Sequence, residues 1–251
     1  MKHLRFVFVF VLFSVFLIQS ANSQVYYLNE DHVKPSKVED YEAALKAYVD
    51  FLSANNYPFS IEILKSSDLV YYLNTPMRST YADLDSISNA LGRTIAKDTL
   101  GWNKMFSKFN DTYYFNKESC YYFAANLSYT PNEPAIEEDE MTYQEVWFIQ
   151  IKLGTAGKVN SLLKEYVDLC VEKGVKSPMF VYRGLIGMNQ GTYMIASPAK
   201  NPGDLWQSEQ ATYELLGERG KEISSQIMKF IDKMEVKQLW WLKKYSYTPK
   251  K

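Results

Sequence analysis

With two cysteines in 251 residues, the chain cannot carry the disulfide framework of a small secreted domain. Cys170 falls on the apolar side of a helical pattern and Cys120 in an aromatic strand, so two buried thiols are favoured over one bridge. Histidine is scarcer still once the N-terminal leader described below is set aside, since His32 is then the only one left. One histidine and two separated cysteines offer no metal-ligand spacing. No G-x-S-x-G, P-loop or G-x-G-x-x-G occurs, which removes the nucleophile elbow and the common nucleotide cradles. Net charge is −1 overall, and no basic stripe is present to neutralise phosphates, so nucleic acid is not an expected partner.

One long hydrophobic run exists, and it lies at the N-terminus. Lys2 and Arg5 precede an apolar stretch from Phe6 to Ile18, and Ala21 and Ser23 supply small residues ahead of Gln24. This is the pattern of a signal peptide over residues 1–23, too short to span a bilayer comfortably, with an uncleaved anchor as the alternative. The expectation is an exported protein, periplasmic or extracellular, with no membrane span after cleavage. Its mature part has 26 basic and 29 acidic residues, a charge of −3.

What the chain has in abundance is aromatic residues, with 20 Tyr, 14 Phe and 5 Trp. Buried Tyr and Trp need a polar partner at one end, which suits a partly polar cavity or a large interface.

The order of elements then repeats. Val25 to Glu30 alternates as a strand. Ser36 with Glu39 reads as a capping box for a helix with Val38, Tyr41, Leu45, Tyr48, Val49 and Leu52 on one face. Phe59 to Lys65 and Leu69 to Asn74 read as a hairpin, and Thr80 with Asp83 starts a helix bearing Leu84, Ile87 and Leu91. A third helical stretch and an aromatic strand, Glu118 to Tyr129, follow. Pro131 to Glu140 has two prolines and five acidic residues, the composition of an exposed linker rather than of a calcium site.

From Met141 the order returns: a strand to Leu153, a helix Lys158 to Lys173, and a hairpin turning at Asn189-Gln190-Gly191. Helices around Leu205 to Leu216 and Lys221 to Met234 lead to a last strand, Lys237 to Tyr247. Lys37-Val38 is echoed in Lys158-Val159, and Tyr48-Val49-Asp50 in Tyr166-Val167-Asp168. The predicted architecture is α+β, with a first repeat at 24–130, an acidic linker at 131–140 and a second repeat at 141–251. Each repeat is a ferredoxin-like β-α-β-β-α-α-β unit whose sheet has one bare face. Two such faces in one chain pack as a single pseudo-symmetric α+β barrel, a pseudo-dimer expected to be monomeric.

This order, with the long terminal strand and the run "strand, VKPSK, amphipathic helix", resembles the dimeric α+β-barrel superfamily, which includes antibiotic-biosynthesis-type monooxygenases and NIPSNAP-like and EthD-like proteins. The resemblance implies a ligand site between the sheet and its helices or inside the barrel. It also implies members that oxidise aromatic substrates without metal or flavin, or degrade haem, leaning on a histidine, an asparagine and a tryptophan. Here His32, at the end of the first strand, is the only histidine of the mature part and the candidate catalytic base.

An offset of 121, taken from Lys37-Val38, puts Glu62 opposite Arg183, both in mid-strand. If both face the barrel interior, they form a buried ion pair or orient a polar ligand among Tyr72, Tyr122 and Tyr193. The expected function is non-enzymatic, a binding or interaction module for a small aromatic or amphipathic ligand in a tyrosine-lined cavity, with no cofactor. The alternative is a cofactor-independent monooxygenase-like enzyme acting on an aromatic or hydrophobic substrate. The motifs Asn110-Asp111-Thr112 and Asn126-Leu127-Ser128 also match glycosylation acceptors.

Overall fold

The computed structural model describes residues 24–77 and 82–250. The signal-peptide stretch and Thr80 of the second predicted cap lie outside them. Eight antiparallel strands close into one barrel, with helices packed on the outside. The strands are β1 (Val25–Val33), β2 (Glu62–Ser66), β3 (Val70–Met77), β4 (Tyr113–Phe123), β5 (Tyr143–Ile151), β6 (Phe180–Gly184), β7 (Thr192–Ala199) and β8 (Ile231–Trp241). The helices are α1 (Val38–Ala54), α2 (Ala82–Lys97), α3 (Thr99–Phe106), α4 (Ala156–Lys173) and α5 (Pro202–Met228). None of the described helices is long and apolar enough to cross a membrane.

Around the barrel the order is β1-β3-β2-β8-β5-β7-β6-β4. Each half therefore contributes four neighbouring strands, and two short seams join the halves. One seam pairs Leu64 with Trp241, Lys65 with Trp240 and Ser66 with Leu239. The other pairs Tyr182 with Phe123, Arg183 with Tyr122 and Gly184 with Tyr121. Every residue of the second seam sits 118 positions from its counterpart in the first. Both seams use main-chain pairing that an open sheet would leave exposed at its edges.

The same displacement of 118 relates β1 to β5, α1 to α4, β2 to β6 and β4 to β8, from first residue to first residue. It extends to single hydrogen bonds. Tyr247 Oη donates to the Tyr57 carbonyl at 2.7 Å, and Tyr129 Oη donates to the Val175 carbonyl at 2.6 Å. Ser246 Oγ accepts from Ile63 N, and Ser128 Oγ accepts from Val181 N. The offset rises to 122 only between β3 and β7, because the β6–β7 connection spans residues 185–191 where the β2–β3 connection spans 67–69. That longer loop docks on β4, with Cys120 N donating to the Ile186 carbonyl. Gly187 (φ +79°) fits there because a Cβ would come within 2.3 Å of the Glu118 carbonyl.

Alternation along the strands divides the core into layers. Leu28, Leu64, Tyr72, Tyr121, Val146, Met194 and Leu239 fill the barrel interior. On the outside, Tyr41, Leu45, Leu52, Ile63, Tyr71 and Met105 pack the first half under its helices. Ile149, Leu163, Val181 and Tyr193, with Cys170 and Ile223 farther along, pack the second.

Several predicted elements shift. The Ser36 capping box does not form, because Pro35–Lys37 makes a 3-10 turn and the helix starts from Lys37 without a side-chain cap. The two helices predicted around 205–216 and 221–234 are one helix kinked at Gly217, ending at Met228. Ile231 and Met234 continue its apolar spacing but belong to β8, where they pair with Ile151 and Ile149. The acidic linker is docked rather than free, as Ile136 is buried and Lys176 pairs with Glu133.

Candidate functional site

The residues singled out from sequence are not brought together. Glu62 and Arg183 lie on opposite faces of the sheet. Glu62 shares the interior side of β2 with Leu64, whereas Arg183 points outward with Val181, over the rings of Tyr193 (5.1 Å) and Tyr122 (5.7 Å). The predicted pairing fails because the structural offset is 118, so the counterpart of Glu62 is Phe180 and that of Leu64 is Tyr182. A shift of three residues, an odd number, turns a strand residue to the opposite face. Tyr122 and Tyr193 stay with Arg183 on the outer face, and Tyr193 Oη donates to Asn160 Oδ1 at 2.7 Å. Tyr72 is the one tyrosine of the set that faces the interior with Glu62.

That interior is nearly full. Tyr26 stacks on Tyr121 at 5.0 Å, Tyr182 meets both rings edge-on, and Tyr72 stacks with Phe148. A space of only about 90 Å³ is left. The expected tyrosine-lined cavity inside the barrel is thereby corrected: an eight-stranded barrel is just wide enough for its own side chains, and the aromatic residues here fill it. His32 lines neither this space nor the larger cavity described next. Its ring lies at the end of β1 against Phe115 and Tyr114, both of which are exposed.

The larger cavity lies outside the barrel in the second half, between the sheet and helices α4 and α5, and measures about 280 Å³. Its floor is apolar, from Trp147 and Ile149 on β5 and Ile195 on β7. One wall is α4, through Leu163, Tyr166 and Cys170. The other is α5, which contributes Ser208, Glu209 and Thr212 before the Gly217 kink, and Ser224 and Ile227 after it. Gly217 holds φ 56° and ψ −148°, a conformation essentially restricted to glycine.

Glu209 is the cavity's chemically distinctive group. Burial, reinforced by the nearby Glu145 charge, holds its carboxyl above the ordinary glutamate range. Glu145 is itself fixed by the Trp147 indole N–H, which donates to its Oε1 at 2.7 Å. Burial likewise raises the Tyr166 phenol and pushes the Cys170 thiol up to about 12. The site therefore combines an apolar floor, a ring of hydroxyl groups and one carboxyl with raised proton affinity, the makings of general-base chemistry on a hydrophobic molecule. Sequence reading missed Glu209, although a charged residue among the apolar positions of its helix was the available signal.

The lining offers neither the histidine nor the thiolate that would hold a haem iron. No histidine lines the cavity, and Cys170 is held as the thiol, whereas iron takes the thiolate. Among the described residues no group of three His, Cys, Asp or Glu side chains could hold a metal ion.

No family model matches the chain, and no curated protein matches it. Solved structures do share its fold. An anthrone oxidase-like protein superposes with TM-score 0.59 at 12% identity, covering 88% of this chain and 92% of its own. A candidate monooxygenase from Fusobacterium nucleatum gives 0.56 at 12% identity, covering 88% and 93%. Another from Lactobacillus acidophilus gives 0.55 at 10% identity, covering 90% and 96%. These likenesses establish an α+β barrel compatible with the superfamily suggested by the sequence. They also correct the expectation of a non-enzymatic module, because the solved structures that share this fold include monooxygenase-like, anthrone oxidase-like and chlorite dismutase-like proteins. The enzyme alternative is the better supported of the two.

Proposed function

We propose that the chain is a cofactor-independent oxygenase that acts on an aromatic, hydrophobic substrate in the cavity between the second-half sheet and α4 and α5. The observation that carries this reading is Glu209, a carboxyl of raised proton affinity beside an apolar floor large enough for a small polycyclic ring system. In its ionised form Glu209 removes a proton from an activated ring carbon, giving a delocalised carbanion. For an anthrone, that carbanion passes electrons to O2, one oxygen atom becomes the new ring carbonyl and the other leaves as water. The substrate supplies all the electrons, so no outside reductant is needed. The base is Glu209 rather than His32, because a general base must reach the proton it abstracts.

Oxygen uptake with 1,8-dihydroxyanthrone tests this. Wild type is expected to consume one O2 per substrate well above the uncatalysed rate. Glu209→Gln should lose at least about 100-fold, the usual weight of a general base, and His32→Gln should stay within about twofold. Wild-type uptake no faster than buffer would end the reading.

We also infer that the barrel arose by tandem duplication of a ferredoxin-like unit, which the displacement of 118 residues shared by four pairs of elements and by both seams supports. Export as a monomer, proposed from the leader composition and from closure of the barrel within one chain, is checked by N-terminal sequencing of the secreted protein and by its mass in solution.

A further inference from the structure

The displacement of 118 gives each cavity residue a counterpart in the first half. Ser177 corresponds to Phe59, and Ser224 to Phe106. In the first half Phe59 packs into the core against Tyr57, at 5.8 Å between rings, and Phe106, which is 48% exposed, covers the core's outer edge by stacking on Trp102 at 5.3 Å and meeting Phe109 at 6.0 Å. In the second half both serines line the cavity. Ser177 stands in the connection between α4 and β6, and Ser224 on α5 beyond the kink. The two lie on separate elements that both border the same space, and at each an aromatic ring of one copy is a hydroxymethyl group in the other. The flanking positions keep their character: Met105 and Ile223 are both buried, Phe109 and Ile227 both pack on the core, and Thr94 and Thr212 are the same residue.

We infer that Ser177 and Ser224 are the specificity-determining residues of this cavity, setting the length of the aromatic molecule it admits. The inference rests on the reading of the cavity as a substrate site, but it concerns size selection rather than catalysis. A ring restored at either position takes up part of the cavity's volume of about 280 Å³, which crowds out a three-ring molecule before a two-ring one. Hydrophobic pockets discriminate in this steric way, since a shortened pocket rejects the longer molecule while the shorter one keeps its contacts.

The test is anaerobic equilibrium binding of 1-naphthol and of 1,8-dihydroxyanthrone to wild type, Ser177→Phe and Ser224→Phe, with thermal unfolding as a check on folding. Each variant is expected to bind the three-ring probe at least tenfold more weakly and the two-ring probe within threefold of wild type. Ser177→Leu and Ser224→Leu, smaller additions that tolerate imperfect packing, are expected to give intermediate losses. Unchanged three-ring binding in the variants, or equal weakening of both probes, overturns the inference, as does a wild type that binds neither. Wild type that binds the three-ring probe yet fails to oxidise it in air, with the variants still selecting by size, sinks the oxygenase reading and leaves the inference standing.

Discussion

Between sheet and helices, the first half of the barrel is packed with rings where the second encloses a cavity. Tyr41 lies 4.6 Å from Tyr71 and 5.5 Å from Phe109, and Trp102 sits 5.5 Å from Phe51. The first half also buries a polar cluster in which Asp31 accepts from Tyr41 Oη at 2.5 Å and from Asn116 Nδ2 at 2.6 Å. At the displaced positions the second half has Ile149, Val159 and Met234, an apolar set. Glu209 stands where the first half has Leu91. The frame is common to both halves, down to the tyrosine bonds that pin each connection. One copy keeps a ring-packed core, while the other gives up packing and gains a space with a carboxyl beside it.

The largest test of that contrast compares Leu52 with its counterpart Cys170. Leu52 is fully buried in the first-half core, so Leu52→Ala should destabilise by about 2–5 kcal/mol. Cys170→Ala should lose about 1 kcal/mol or less, because the thiol already borders the cavity and gives up few contacts. Denaturant unfolding of both variants measures the gap, and equal losses would break the comparison.

A smaller effect tests the shared frame. Tyr129→Phe and Tyr247→Phe each leave one buried carbonyl without its donor. Each should lose about 1–2 kcal/mol, and the two losses should agree within about 0.5 kcal/mol if the halves use the bond alike.

The smallest is a pH dependence. Glu209 has a raised proton affinity in the folded state, so the folded protein holds its proton to higher pH than the unfolded chain does. Its contribution to stability is complete below the ordinary glutamate range and is lost as pH rises through the folded value. The stability difference between wild type and Glu209→Gln should therefore move against wild type as pH rises across that window. A flat difference would show that Glu209 is solvated like a surface carboxylate.

Much of the fold was legible in the sequence, because strand alternation and helix spacing survive in both copies. The echo Tyr48-Val49-Asp50 and Tyr166-Val167-Asp168 carries the true displacement of 118. Lys37-Val38 and Lys158-Val159 carry 121, a register in which Glu62 would stand opposite Arg183, whereas the two lie on opposite faces of the sheet. The starts of β4 and β8 were also missed. Their opening residues, such as Asn116 and Asp232, are exposed and lack alternation, so only cross-strand pairing with β1 and β5 reveals them. The cavity was illegible for a different reason. Two of its lining residues, Ser177 and Ser224, stand where the first copy has Phe59 and Phe106, and that exchange is visible only once the register between the copies is fixed.

Whether the site lies in the second half alone is decided by amide hydrogen exchange with and without 1,8-dihydroxyanthrone under anaerobic conditions. Added protection is expected in α4 and α5, over Ala156–Lys173 and Pro202–Met228, with none in α1 to α3. Protection spread equally over both halves, or centred on β1 around His32, would contradict it.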